Sequence, residues 1–135
     1  MGSWYGPLHE EVEAPAFFPD GKRILYQKIS ADRTKSTIEV ISTLGGEPTV
    51  LTEGGHWGES LSPDGRQIAY IESKQGADHL MTISSNGGQP RELPAWARMR
   101  RSGYSIGSSI CVWTPDSRYL LCWMVKPADF GVRQE

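Results

Sequence analysis

Several groups of residues in this chain have the types and spacing that chemistry could use. Gly103-Tyr104-Ser105-Ile106-Gly107 satisfies Gly-X-Ser-X-Gly, where a serine on a strand-to-helix turn serves as an acyl-transfer nucleophile. That chemistry needs an acid and then a histidine further along the chain, yet His9, His56 and His79 all lie upstream. The residues after the serine, Ser108 to Val112, read as a strand rather than a helix, so the segment is taken as a connection rich in small residues. No catalytic residue is assigned. Asp20, Asp64 and Asp116 invite an acid–base or metal reading, but each sits at the same place in a repeated turn, where aspartate bonds back to its own backbone. The histidines have no partner at ligand spacing, and Cys-X-X-Cys is absent. Gly45-Gly46 and Gly54-Gly55 lack the lysine and helix of a phosphate loop. No metal and no cofactor are expected.

A different pattern points to binding. Residues Pro94 to Ser108 hold Trp96, Arg98, Arg100, Arg101 and Tyr104 with no acid among them. Arginine and aromatic side chains gathered on a connection are the usual makings of a binding hot spot. The plainer alternative has Trp96 packing inward and the arginines merely solvated.

The elements that must position these residues repeat. Phe17-Phe18-Pro19-Asp20-Gly21-Lys22-Arg23-Ile24-Leu25-Tyr26 returns as Leu61-Ser62-Pro63-Asp64-Gly65-Arg66-Gln67-Ile68-Ala69-Tyr70. A degraded third copy is Trp113-Thr114-Pro115-Asp116-Ser117-Arg118-Tyr119-Leu120-Leu121-Cys122. Pro-Asp-Gly between apolar runs is a hairpin signal, because proline presets φ and glycine accepts the left-handed conformation that closes the turn. A second element, Ile38-Glu39-Val40-Ile41 leading to Gly45-Gly46-Glu47-Pro48, recurs as Leu80-Met81-Thr82-Ile83 leading to Gly87-Gly88-Gln89-Pro90. Each closes on a leucine, Leu51 or Leu93. Strands over 14–18, 23–27, 37–42 and 48–51 make one four-stranded meander, and four strands in about 40–45 residues match a propeller blade.

These motifs resemble the TolB-like β-propeller repeat, which is similar in plan to WD-type blades but marked by Pro-Asp-Gly. The resemblance covers roughly residues 13 to 125 and implies an all-β partial propeller of four-stranded antiparallel meander blades. It fixes little about function, since such blades serve many roles. The chain divides into an N-terminal segment 1–12, blade one 13–52, blade two 53–93, an inter-blade loop 94–108, and the first half of blade three 109–135. Two blades and a half fall short of the 4–8 that close a ring, so the chain is expected to be a piece of a longer propeller with exposed blade edges able to self-associate. Ser117 replaces glycine in the third turn and predicts a wider loop there. Cys111 faces Cys122 across the third hairpin if its loop has four residues. A three-residue loop with a bulge, the form expected of Pro-Asp-Gly, would point them to opposite faces. Buried free thiols are the expectation.

Loops leaving a fourth strand share a propeller face with loops joining second and third strands. The 94–108 insertion therefore lies beside Glu53–Gly58, with His56 and Trp57, and beside the polar loops Lys28–Ser36 and Ser73–His79. The candidate partner-binding residues are His56, Trp57, Trp96, Arg98, Arg100, Arg101 and Tyr104, suited to an acidic patch or a carboxylate on a protein or peptide.

Length and composition agree. The chain has 135 residues, 15.0 kDa and a net charge of −2, which gives little counterion release and argues against nucleic acid. The longest apolar run, Tyr119 to Val125, is far short of the ~20 residues of a spanning helix. Met1 to Leu8 lack the basic start and apolar stretch of a signal peptide, which suits the cytoplasm, with the periplasm requiring an export signal supplied elsewhere. The expected role is a non-enzymatic interaction or ligand-binding module. The resemblance also implies two alternatives, the propeller part of a prolyl-oligopeptidase-type serine peptidase and the sensor propeller of a bacterial regulator or kinase.

Overall fold

A computed structural model describes residues 4–5 and 11–126. Strands β1 (Trp4–Tyr5), β2 (Glu11–Phe17), β3 (Arg23–Ile29), β4 (Ser36–Ser42) and β5 (Thr49–Gly54) form one antiparallel sheet in chain order. β6 (His56–Leu61), β7 (Gln67–Lys74), β8 (Ala77–Ser84) and β9 (Arg91–Glu92) form the second. An α-helix, α1 (Pro94–Arg101), leads to the hairpin of β10 (Ser105–Trp113) and β11 (Leu120–Val125). The meander expected of each blade is thus present in both complete sheets. β2 starts at Glu11, two residues before the expected edge of blade one. The truncation expected in blade three falls on residues 127–135, outside the described ones.

All three Pro-Asp turns close in one way. Phe18, Ser62 and Thr114 donate their N–H groups to the carbonyls of Arg23, Gln67 and Tyr119 at 2.8–2.9 Å. Each loop therefore has four residues, not three with a bulge. Asp20, Asp64 and Asp116 accept the N–H two residues on, from Lys22, Arg66 and Arg118, at 2.9–3.1 Å. For Asp64 and Asp116, a hydroxyl from Ser62 or Thr114 adds to that bond and holds the carboxyl below its ordinary range. The third turn is no wider than the others. Ser117 takes φ 63°, beside 71° and 74° at Gly21 and Gly65, and its N–H reaches the Thr114 carbonyl at 2.8 Å.

That register decides the cysteines. Cys111 pairs with Cys122 across the hairpin at a Cα separation of 4.5 Å, the spacing of a non-hydrogen-bonded antiparallel pair, and the two form a disulfide. The expected free thiols are not found.

Blades stack face to face. Between blades one and two lie Phe18, Leu25, Ile38 and Val40 from one side and Ile68, Tyr70, Met81 and Ile83 from the other. Between blades two and three, Ile71, Leu80, Trp96 and Cys111 form a second cluster with Leu120 and Cys122 packed on it. The Trp113 indole N–H ties the inner strand of blade three to the Ser60 carbonyl at 3.0 Å. Outward faces of the stack remain apolar and exposed, with Phe17 68% exposed at one end and Trp123 69% at the other.

Candidate interaction face

The segment expected as a loop over 94–108 holds a helix. Pro94 stands at its first turn, where a missing N–H costs nothing. Arg98, Arg100 and Arg101 fill the last turn, where the carbonyl end favours cations. Gly103 at φ 90° stops it, with the N–H groups of Gly103 and Tyr104 returning to Arg100 and Met99. The Gly-X-Ser-X-Gly match is thereby dissolved. Its first glycine is a helix stop, and Ser105 begins strand β10 opposite Val125.

Two side chains, Trp96 and Arg100, fasten the helix to blade two. Trp96 is 4% exposed and donates its indole N–H to the Asp78 carbonyl at 3.1 Å, so it is a core residue and not a surface anchor. Arg100 donates through Nε and Nη2 to the two oxygens of Glu92 at 3.0 and 3.1 Å. His79 Nδ1 meets the same carboxylate at 2.9 Å. Burial works against the Glu92 charge, but the bonds from Arg100 and His79 win and hold its carboxyl below the ordinary range. A forked guanidinium on a carboxylate fixes orientation as well as position.

The remaining candidates divide by what is left to them. Arg98 and Arg101 are exposed and make no ion pair among the described residues. Tyr104 and Trp57 are half-buried against the second cluster, and the Trp57 indole donates to Ser73 Oγ at 3.2 Å. The His56 side chain lies outside the described ones, though its backbone pairs with Glu72. Two of the neighbouring loops are smaller than expected. Glu53–Gly58 is strand on both sides of Gly55, and Ser73–His79 reduces to a two-residue turn at Gln75-Gly76, both with positive φ, the form that suits hairpin twist. The loop over 30–35 is built on Asp32, whose carboxyl accepts from Ser30 and Thr34 and is held down to about 2 by those hydroxyl bonds.

Near the inner strands sits a feature the sequence did not signal. Glu59 lies directly after Gly58, whose φ of 67° marks the bulge in β6. Its Oε2 is buried and has no hydrogen-bond partner among the described residues. Desolvation, helped by the charge of Glu13 on β2, pushes its carboxyl up. Among the described residues, no group of three or more His, Cys, Asp or Glu is placed to hold a metal ion. No helix among them is long and apolar enough to cross a membrane.

A pocket of about 370 Å³ opens between α1, β8 and the blade-three hairpin. Its lining includes Leu80 and Thr82 of β8, Trp96 and Met99 of α1, and Leu120, Cys122 and Met124 of β11.

Sheets of antiparallel strands stacked face to face about their inner strands define the chain as part of a β-propeller. Its fold is that of the TolB-like propeller. It superposes on TolB from Acinetobacter baumannii with a TM-score of 0.63 at 22% identity, covering 83% of this chain and 26% of that one. A prolyl endopeptidase structure matches with a TM-score of 0.56 at 20% identity, over 82% of this chain and 17% of the other. In sequence the chain is 31% identical over 117 residues to an uncharacterized peptidase, YuxL, of Bacillus subtilis (strain 168). That alignment takes in 82% of this chain and 17% of the peptidase, so the chain spans about a sixth of that peptidase's length. No protein-family model matches it.

Proposed function

We propose that the chain is a non-enzymatic protein-interaction module whose binding face is built on α1. One observation carries this reading: the helix divides its arginines. Arg100 is engaged with Glu92, and Trp96 is sunk beneath the helix, while Arg98 and Arg101 are exposed on a fixed support with no ion pair among the described residues. A guanidinium on a rigid element loses little freedom when it meets a carboxylate. An acidic patch or a free carboxylate on a protein or peptide is the complementary surface. Affinity capture with the chain as bait, followed by titration of the captured protein, tests it. The double variant Arg98→Ala, Arg101→Ala is expected to bind at least ~30-fold more weakly, the usual hot-spot threshold. Unchanged affinity would sink the reading.

A second reading is favoured by the identity to the Bacillus subtilis peptidase. In it these blades flank a hydrolase domain encoded in the same longer protein. The reading frame around the gene discriminates the two, because a downstream Gly-X-Ser-X-Gly followed by an acid and a histidine selects the peptidase.

A further inference from the structure

Blades one and two share a second cavity, of about 350 Å³, on the rim of the Pro-Asp turns. Both of its walls belong to four-stranded blades that the described residues complete. Arg23 and Ser42 stand opposite each other on β3 and β4, and Val40 lies two residues from Ser42, so the three share the face turned to blade two. Leu51 of β5 and Glu47 of the turn before it line the same side. Asn86, in the turn after β8, lines it from blade two.

The lining carries one cation and one anion, and they do not serve each other. Neither Arg23 nor Glu47 makes an ion pair among the described residues. The Arg23 guanidinium carbon sits 4.0 Å from the centroid of the Phe18 ring, and Phe18 is fixed in the core, so the cation is held in place without an acid. The repeat supplies a control. Gln67 and Gln89 stand where blade one has Arg23 and Glu47, and blade two forms the same strands and turns with them. The fold alone calls for a charge at neither place.

We propose that this cavity binds a small zwitterion with an aliphatic body, an amino acid or a dipeptide. Its carboxylate meets the Arg23 guanidinium, whose N–H donors lie in one plane and match two oxygens at once. Its ammonium meets the Glu47 carboxylate, and the aliphatic body lies against Val40 and Leu51. The volume falls at the lower end of the range for small-molecule sites, about 300–1,000 Å³. One ligand thus answers two opposite charges that the chain holds apart. The site lies on the rim away from α1 and stands independently of the interaction face there.

Calorimetric titration of the full chain with leucine and with the dipeptide Ala-Leu tests it. Saturable binding is expected, and whichever binds tighter assigns the length of the body. Acetylating the amine of that ligand, or amidating its carboxylate, is expected to weaken binding at least ~10-fold, the loss of one charge-assisted bond. Arg23→Gln is expected to weaken the free acid by the same factor and to leave the amide unchanged, so that acid and amide bind alike. Glu47→Gln is expected to bring amine and acetylated ligand together in the same way. A protein that was merely destabilised would not give this convergence. If Arg23→Gln fails to fold, the blocked ligands and Glu47→Gln, at an exposed turn, decide. No saturable binding of either ligand at millimolar concentration, or blocked ligands that bind as well as free ones, overturns the proposal. A loss on Arg98→Ala with Arg101→Ala, and none on Glu47→Gln, would put the ligand on α1 and overturn it equally.

Discussion

The backbone N–H of Asp64 donates to Ser117 Oγ at 3.0 Å, joining the hairpin turns of adjacent blades. One blade earlier, Pro19 packs so closely on Gly65 that a Cβ there would meet its Cδ at 2.8 Å. Turn tips thus stack along this rim, and Ser117 adds a bond to that stack which glycine could not.

The two substitutions of Ser117 should therefore part. Ser117→Ala keeps the left-handed strain and loses the bond, and is expected to destabilise by about 1 kcal/mol. Ser117→Gly loses the bond but relieves the strain, also about 1 kcal/mol, and is expected to be near neutral. Urea midpoints of the two variants check this, and an unchanged Ser117→Ala beside a stabilised Ser117→Gly would show that the hydroxyl does nothing.

Glu59 predicts an inverted pH dependence. Its pKa is raised on folding, so the unfolded chain loses this proton first. Between the ordinary glutamate value and the raised one, folding becomes costlier as pH rises, and the full cost persists above both. Glu59→Gln is expected to raise stability at pH 7–8 by on the order of 1 kcal/mol, with the gain fading below ordinary glutamate pKa values. Thermal melts across pH measure it, and a gain that grew toward acid would refute the burial account.

The Glu92 network has the opposite sign. A lowered pKa contributes stability that is present above the ordinary glutamate value and lost as pH falls through the lowered one. Glu92→Gln is expected to loosen α1 at neutral pH and to change little in strong acid. Hydrogen exchange at the α1 amides reads the helix directly, and should quicken in the variant only above that range.

The disulfide staples the blade-three hairpin across a sequence separation of 11. In the chain-entropy account a loop of that size contributes about 3 kcal/mol. Cys111→Ser with Cys122→Ser is expected to lower stability by about 2–3 kcal/mol, read by denaturant unfolding. Intact mass after alkylation without reductant tests the bond itself, with two reactive thiols as the contrary result.

What could be read from the sequence was local chemistry. Each Pro-Asp turn carries its own closing bonds, so the hairpins and the blade meander were visible from Pro19, Pro63 and Pro115 outward. The helix was missed because an eight-residue stretch with three arginines reads as solvated loop, although Pro94, the spacing of Trp96 and Met99, and Gly103 were its signals. The fates of Arg100, Trp96 and Ser117 depend on Glu92, Asp78 and Asp64, which lie 8, 18 and 53 residues away, outside the local pattern that was read. The cysteine pairing turned on a loop length that the two intact copies share but do not spell out.

The central claim is that partners meet the α1 face, and comparing opposite rims of the blades tests it most directly. Titration of a captured partner would be run against Arg98→Ala with Arg101→Ala, and against Lys22→Ala with Arg66→Ala at the Pro-Asp turns on the other rim. The account predicts a loss of at least ~30-fold in the first pair, the hot-spot threshold, and no change in the second. The reverse pattern would contradict it.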